Sequence, residues 1–176
     1  SPLPKTPEQV ATEDHEHKLR QKGEIETYYR EKRQQMKLEG TERLARYLES
    51  PGHYFHREIL YAHKDFDKIL AAIAEGKEWG IVSGLNPSGP LHFGHKTMLD
   101  VLLWFQRTYR ARIYIPITND ETYVVDKAPS LAQARFNAYE HVIPSIIALG
   151  FDPQLTHIWV HSDYPDFFNV AIWLSK

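Results

Sequence analysis

The stretch GLNPSGPLHFGHK, residues 84–96, places two histidines three positions apart around a single glycine. It overlaps the end of a short apolar run with β-branched residues, WGIVSGL at 79–85, which predicts a strand. After it, apolar residues recur at the i, i+3, i+4, i+7 spacing of an amphipathic helix, at Met98, Val101, Leu102 and Phe105. The stretch therefore connects a strand to a helix through a loop rich in proline and glycine.

The alternation of strands and helices continues to the end of the sequence. Further strands are predicted at RIYIPIT (112–118) and THIWVHS (156–162), and helices at SLAQARFNAYEHVI (130–143) and DFFNVAIWLSK (166–176). We expect Pro116 to make its strand bulge or end early, and Pro144 to kink or end the helix before it. Short connections between such elements predict an α/β fold with a parallel sheet, in which ligands bind at the carboxyl ends of the strands.

The composition is that of a folded protein without an extreme charge. Of the 176 residues, 42% are hydrophobic and 12% aromatic, the formal net charge is −2, and there is no cysteine. No apolar run approaches the roughly 20 residues of a membrane-spanning helix, and the start, SPLPKTPEQV, lacks the pattern of a secretory signal. We therefore expect a soluble, cytoplasmic protein, with no membrane partner, in which any RNA contact needs a local basic patch.

The first fifty residues differ in character from the rest. They are dense in Glu, Lys, Arg and Gln with interspersed charges, which predicts a solvated helix rather than a nucleic-acid-binding arm. We expect this helical appendage, residues 1–52, to be broken near Gly23 and Gly40 and to end at 50–52. The segment FDKILAAIA (66–74) predicts a short helix that stops at Gly76.

Histidines are also frequent before the first strand of the predicted sheet. His15 and His17 lie on the polar segment and are expected to be solvated, whereas His53, His56 and His63 have no carboxylate or thiol at a convincing ligand spacing. We predict packing or surface roles for these side chains, and no metal site formed by the protein.

The histidine pair suits phosphate chemistry. A helix N-terminus offers free backbone N–H groups and partial positive charge, and His92 and His95 would lie on the same face of its first turn. Imidazoles are compact donors that titrate near neutral pH, so they can stabilise charge during displacement at an α-phosphate. The glycines at 84, 89 and 94 would let a nucleotide approach the backbone.

At this point the sequence resembles a known family. The segment PSGPLHFGH (87–95) is similar to the first signature of class I aminoacyl-tRNA synthetases, with Phe93 at the variable apolar position. The segments HKDFDKILAAIAEGK (63–77), ITNDETYVV (117–125) and IIALGFDPQLTHIW (146–159) resemble the tryptophanyl and tyrosyl subgroup, and most of all its archaeal and eukaryotic tryptophanyl members. The resemblance covers about residues 54–172 and implies a Rossmann-like nucleotide-binding fold.

The resemblance also implies a reaction. ATP, with Mg²⁺ held mainly by the phosphates, would convert tryptophan to an adenylate, and the tryptophanyl group would pass to tRNA(Trp). His92 and His95 would stabilise the α-phosphate transition state. The ATP pocket would be shaped by Gly84, Pro87, Ser88, Gly89 and Gly94. Similar enzymes are homodimers, which we expect of the full-length protein.

Four positions bear on the amino-acid pocket. The resemblance assigns Glu121 to the pocket, where it would hold the substrate's ammonium group, and Asn119 replaces a more usual aspartate. A tyrosine that often reads the polar group of the substrate side chain is matched by Val82, and a frequent glutamine is matched by Pro116. The tyrosyl enzyme is therefore the nearest alternative.

A second, Lys-rich signature of these enzymes has no counterpart in the 176 residues. We therefore expect residues 53–176 to be the first part of a class I catalytic domain, truncated at its C-terminus, with little aminoacylation by this chain alone. Two readings from other classes remain. One is a small nucleotidyltransferase, although the GxFDPxH turn of that class is missing. The other is a non-catalytic, synthetase-like module or one half of a split protein.

Overall fold

A computed structural model of the protein describes residues 7–41, 53–57 and 59–175. The chain divides between Asp67 and Lys68 into two compact units, and each is described by itself. The boundary predicted from the sequence, between residues 52 and 53, stays a prediction. No helix in the described ranges is both long and apolar enough to cross a membrane.

The first unit contains a long helix and a small antiparallel pairing. Helix α1 (Pro7–Gln35) is followed by β1 (Glu39–Gly40), α2 (His53–His56) and β2 (Ala62–His63), and β1 pairs with β2 in antiparallel register. The predicted break near Gly23 is wrong, because α1 passes through this residue without interruption. One glycine costs a helix only about 1 kcal/mol, and strong helix formers flank it here. Gly40 lies in β1, and the predicted helix end at 50–52 lies outside the described residues.

The histidines before the sheet are described only in part. The Nδ1 atom of His63 accepts a hydrogen bond from the backbone N–H of Phe66 at 3.4 Å, so this imidazole caps the helix that follows. That helix, α3 (Phe66–Ala74), is followed by Gly76 at φ +65°, as the sequence predicted. The side chains of the other four histidines lie outside the described residues.

The second unit contains the predicted parallel sheet. Strands β3 (Gly80–Val82), β4 (Arg112–Ile117) and β5 (Thr156–Val160) pair in parallel, in the order β3–β4–β5. The helices are α4 (Phe93–Tyr109), α5 (Asn119–Val124), α6 (Leu131–Asn137), α7 (Ile143–Ala148) and α8 (Asp166–Leu174). A π-turn at 138–142 joins α6 to α7, and a 3₁₀ turn at 161–163 follows β5. The α/β fold with a parallel sheet, preceded by a helical segment, is confirmed.

Pro116 does not disturb its strand, contrary to the prediction. It remains within β4, paired in register with Trp159, and its carbonyl accepts a hydrogen bond from the N–H of Leu85 at 2.9 Å. Proline is tolerated because its missing N–H removes only one bond from this side of the strand. The N–H groups of Ser83 and Leu85 still donate to the carbonyls of Tyr114 and Pro116, and Leu85 bridges Ile117 in parallel. The prediction for Pro144 is confirmed, since the regular helix gives way to the π-turn directly before α7.

The two faces of the sheet differ in exposure. Ile113, Ile115 and Ile117 are fully buried, and α4 packs against their strand. On the other face, which we call the open face (Val82, Tyr114, His157 and Trp159), Val82 is 69% exposed and the rings of Tyr114 and His157 stack at 5.1 Å. One side of the sheet thus forms the core of the second unit.

Helix α4 contributes a different stripe to that core than the sequence predicted. Leu102 and Phe105 are buried as predicted, but Met98 and Val101 are only partly buried, and the remaining core positions are Leu99, Leu103 and Gln106. The Gln106 amide donates to Thr156 Oγ1 and accepts from the N–H of Asp152, both at 2.8 Å. Gln106 can occupy a core position because its side-chain N–H and C=O are both hydrogen-bonded. This polar residue concealed the true spacing of the buried residues of α4.

Candidate active site

The loop after β3 is tied to the end of β4. The N–H of Thr118 donates to the carbonyl of Leu85 at 3.0 Å, and its hydroxyl hydrogen-bonds the Asn86 side chain. The carboxyl ends of the two strands therefore meet where the proline- and glycine-rich loop begins, as predicted for a ligand site in a parallel sheet.

A buried asparagine anchors the same loop from a different element. Asn137, at the end of α6, donates its amide N–H to the carbonyl of Pro87 at 3.1 Å. Its own Oδ1 accepts from Gln133 Nε2 at 3.0 Å, so the orientation of the amide is fixed. Sequence analysis missed this residue, because nothing local in the sequence links positions fifty residues apart.

The two histidines hold the start of α4 through a reciprocal cap. His92 is the N-cap residue, and its Nδ1 accepts a hydrogen bond from the N–H of Gly94 at 3.2 Å. The Nδ1 atom of His95 accepts one from the N–H of His92 at 3.3 Å. The two ring centroids lie 3.9 Å apart. Both imidazoles thus replace the usual Ser/Glu capping side chains and satisfy backbone donors.

This arrangement fixes the protonation of the pair. An imidazole that accepts at Nδ1 carries its proton on Nε2, so each ring is neutral and keeps one N–H donor. Burial, followed by the neighbouring His92, lowers the pKa of His95 below its usual value. The site therefore offers two neutral donors beside the N–H groups of a helix N-terminus, an arrangement suited to a phosphate oxygen.

The three predicted glycines have different surroundings. A Cβ atom at Gly94 would lie 3.0 Å from Cε1 and 3.1 Å from Nδ1 of His92, so the capping imidazole would have to shift by a few tenths of an ångström. At Gly89 a Cβ would meet open space, and at Gly84 it would meet only ordinary contacts, the nearest 3.6 Å away at the Pro116 carbonyl. Gly94 therefore lets the imidazole of His92 lie close over the backbone, whereas the other two glycines leave room above it.

Glu121 and Val82 also lie at the carboxyl ends of strands. Val82 is the last residue of β3, and Glu121 is an exposed residue in the first turn of α5, directly after β4. Pro116 lies on the same face of β4 as Tyr114, the residue paired with Val82. The residues predicted to contact the amino acid thus occupy neighbouring strand ends.

A network that sequence analysis missed joins α5 and α6 to the turn after β5. Asp163 accepts hydrogen bonds from Arg135 Nε at 2.9 Å and Nη2 at 3.2 Å, and from the hydroxyl of Tyr139. These bonds, that of Arg135 first, lower the pKa of Asp163. His161 Nδ1 lies 3.2 Å from Asp120 Oδ1, and Ser162 bonds Asn119. The run His-Ser-Asp at the end of a predicted strand was the available signal.

A cavity lies beside the histidine pair. Its volume is about 260 Å³, and it is lined by Leu91, His92, Phe93, Lys96, Leu99, Ser145 and Leu149. Apart from His92 and Lys96 the lining is mostly apolar, and it faces α7 rather than the strand ends. Within the described ranges, no three His, Asp or Glu side chains come together as a metal-binding group.

Comparisons with known proteins agree with this geometry. A family model described as tRNA synthetases class I (W and Y) matches residues 74–176. The tryptophan–tRNA ligases of Methanocaldococcus jannaschii and Thermococcus kodakarensis are 38% and 33% identical to this chain over 129 and 123 residues. These matches cover 73% and 70% of this chain but only 34% and 32% of the relatives, so the chain spans about a third of their length.

Solved structures give the same result. The tryptophanyl-tRNA synthetase of Aeropyrum pernix matches with a TM-score of 0.73 at 30% identity, over 86% of this chain and 42% of that one. The enzyme of Encephalitozoon cuniculi, solved bound to tryptophan, matches with a TM-score of 0.68 at 31% identity, over 77% of this chain and 39% of that one. The described fold is thus shared with part of each of these structures.

Proposed function

The chain belongs to the class I tRNA synthetases of the tryptophan and tyrosine group, and from that premise we propose that it carries the ATP-binding part of a tryptophan–tRNA ligase active site. In this reaction the tryptophan carboxylate attacks the α-phosphorus of ATP, and pyrophosphate leaves. The tryptophanyl group of the adenylate then passes to tRNA(Trp). The observation that carries the proposal is the reciprocal cap of His92 and His95 at the start of α4.

The two imidazoles act as donors to the reacting phosphate. Since each Nδ1 is used by the cap, Nε2–H of each ring is the atom that donates to oxygens of the α-phosphate as negative charge builds up on them. Neutral imidazoles can do this without taking or giving up a proton. No protein nucleophile is needed, because the amino acid supplies the attacking oxygen.

The loop before the pair forms the nucleotide pocket. Gly84, Pro87, Ser88, Gly89 and Gly94 shape it, and Thr118 and Asn137 hold the loop in place through Leu85, Asn86 and Pro87. The open space above Gly89 supports a close approach of the nucleotide to the backbone. Mg²⁺ is held mainly by the phosphates of ATP.

Tryptophan binds at the neighbouring strand ends. Glu121 holds its ammonium group by charge, and Val82 and Pro116 contact the side chain. The names of the relatives favour tryptophan over tyrosine. By the same family resemblance the full-length protein is cytoplasmic and forms a homodimer. Light scattering on the purified protein tests the homodimer.

The test is amino-acid-dependent exchange of pyrophosphate into ATP by the full-length gene product, with tryptophan, tyrosine or no amino acid. We expect exchange with tryptophan alone. Replacing His92 or His95 by alanine should lower the exchange rate about 10²- to 10³-fold, the usual effect of losing one donor to a developing oxyanion. His141→Gln, on the π-turn, is the matched control and should retain the wild-type rate.

The outcomes separate the candidate functions. Exchange with tyrosine alone would move the assignment to the tyrosyl enzyme without changing the role of the histidines. Exchange that does not depend on an added amino acid would favour a nucleotidyltransferase. Absence of exchange with both amino acids would exclude the synthetase reaction for this protein and leave the non-catalytic module.

A further inference from the structure

Helix α5 carries Glu121, and its own attachment to the sheet is slight. It has only six residues and follows β4 without a side-chain cap at Thr118. The backbone carbonyl of Thr118 accepts from both the N–H and the hydroxyl of Thr122, at 3.0 and 2.7 Å, which closes a single turn. A helix this short does not fix its own direction, so the position of Glu121 depends on the packing of α5 against α6 and on the contacts that hold its first turn.

The first residue of this helix makes such a contact. The side chain of Asn119 is fully buried. Its Nδ2–H donates to Ser162 Oγ at 2.8 Å, and its Oδ1 accepts from the backbone N–H of Ser162 at 3.1 Å. One amide thus bonds both the hydroxyl and the backbone of a residue forty-three positions away, which ties the end of β4 to the end of β5.

The partner of this contact is itself held in place. Ser162 lies in the 3₁₀ turn at 161–163, whose last residue, Asp163, is bound by Arg135 of α6 and by Tyr139 of the π-turn that follows it. The preceding residue, His161, contacts Asp120 of α5 at 3.2 Å. The turn therefore provides a fixed support, and Asn119 is the buried link between it and the helix that carries Glu121.

We propose that Asn119 is a positioning residue that holds Glu121 in the amino-acid pocket by locking α5 to Ser162. This rests on the proposed function and deepens it, because it assigns a role in amino-acid binding to a residue that does not contact the substrate. Asn119 acts only through Glu121, whereas Asn137, the other buried asparagine, acts on the nucleotide loop through Pro87. Replacing Asn119 should therefore weaken the binding of tryptophan, and replacing Asn137 the binding of ATP.

The experiment measures KM for tryptophan and for ATP in the pyrophosphate exchange of the full-length gene product. Asn119→Ala should raise the KM for tryptophan about tenfold and change the KM for ATP less than about twofold, in line with the loss of one positioning contact. Asn119→Asp keeps the acceptor for the N–H of Ser162, so it should raise the KM for tryptophan less. Asn137→Ala is the matched control and should raise the KM for ATP instead.

A double-mutant cycle shows whether Asn119 acts through the carboxylate. Glu121→Gln alone should raise the KM for tryptophan, and adding Asn119→Ala to it should cause no further increase, because the positioned charge is already gone. If Asn119→Ala is too unstable to purify, Ser162→Ala removes the hydroxyl partner from the other side. It should give the same selective rise with a smaller amplitude.

The failures can be told apart. Absence of exchange by the wild-type protein would remove the proposed function and this inference with it. Exchange by the wild type, combined with equal increases of both KM values in Asn119→Ala or with independent effects of Asn119→Ala and Glu121→Gln, would leave the function in place. In that case Asn119 would be a general structural residue, and the inference would be overturned.

Discussion

Gly94 is the residue on which the histidine pair depends. From the sequence, the glycine between the histidines was expected to leave space for a ligand. In the structure, its backbone is instead covered by the ring of His92. The imidazole of His92 lies over its backbone N–H, and a Cβ at this position would force the ring to shift by a few tenths of an ångström. The pattern His-x-Gly-His therefore follows from a cap in which the first histidine folds over the glycine.

Gly94→Ala should separate stability from function. Alanine favours helix over glycine by about 1 kcal/mol, and losing a cap costs about 0.5–2 kcal/mol, so the free energy of unfolding should change by about 1 kcal/mol or less. The rate of pyrophosphate exchange should nevertheless fall by at least about tenfold, because one phosphate donor is displaced. Urea titration and the exchange assay on the same preparation measure both quantities.

Gly23→Ala is the control for this variant. A Cβ at this exposed position of α1 meets no atom within 4 Å, so helix propensity alone should act and exchange should be unaffected. Wild-type exchange by Gly94→Ala would mean that His92 can move aside without loss. The cap would then have no part in the proposed reaction.

At the scale of elements, the sequence predicted the strands of the parallel sheet and the main helices between them, but not α5, α2 or the β1–β2 pairing. The errors within the predicted elements have local causes. The helix stripe of α4 was placed on Met98 and Val101 because Gln106 does not look like a core residue. Pro116 was expected to disturb β4 because the backbone hydrogen bonds from Ser83 and Leu85 that flank it could not be known. Periodicity shows that an element exists, but its neighbours in the fold decide which residues it tolerates.

The contacts that assemble the site were not predictable in this way. Asn137 meets Pro87 across fifty residues and Asn119 meets Ser162 across forty-three. Each pair connects two elements through one buried amide, and no periodicity or spacing within a single sequence marks such partners. The histidine pair was found because its members are neighbours on one helical turn.

The contrast between the two faces of the sheet gives a prediction at this scale. Ile115→Ala should lower the free energy of unfolding by about 2–5 kcal/mol, because Ile115 is fully buried against the helices of the core. Val82→Ala, on the open face and 69% exposed, should lower it by less than about 1 kcal/mol. Urea titration of both variants with the same probe measures the difference. Equal losses would show that the open face is covered in solution.

For the whole molecule, the question is where the catalytic part begins. Sequence analysis placed the boundary at residue 53, whereas the compact units divide after Asp67 and the family model begins at residue 74. Phe55 is a buried apolar residue of the intervening stretch, and it is grouped with the first unit. The buried isoleucines of the sheet and the leucines of α4 that form the core all belong to the second unit.

Two truncated chains decide between these boundaries. One starts at His53, and the other starts at His63 and keeps the imidazole that caps α3. Both should unfold cooperatively in urea, with free energies of unfolding within about 1 kcal/mol of each other, because a compact unit with its own core folds without its neighbour. Removing residues 53–62 deletes Phe55, and burying a phenylalanine stabilises a core by about 1.5–3 kcal/mol. A loss of that size in the shorter chain would place Phe55 with the sheet and support the boundary at residue 53. If the chain starting at His53 fails to fold, the second unit depends instead on the helical segment before it.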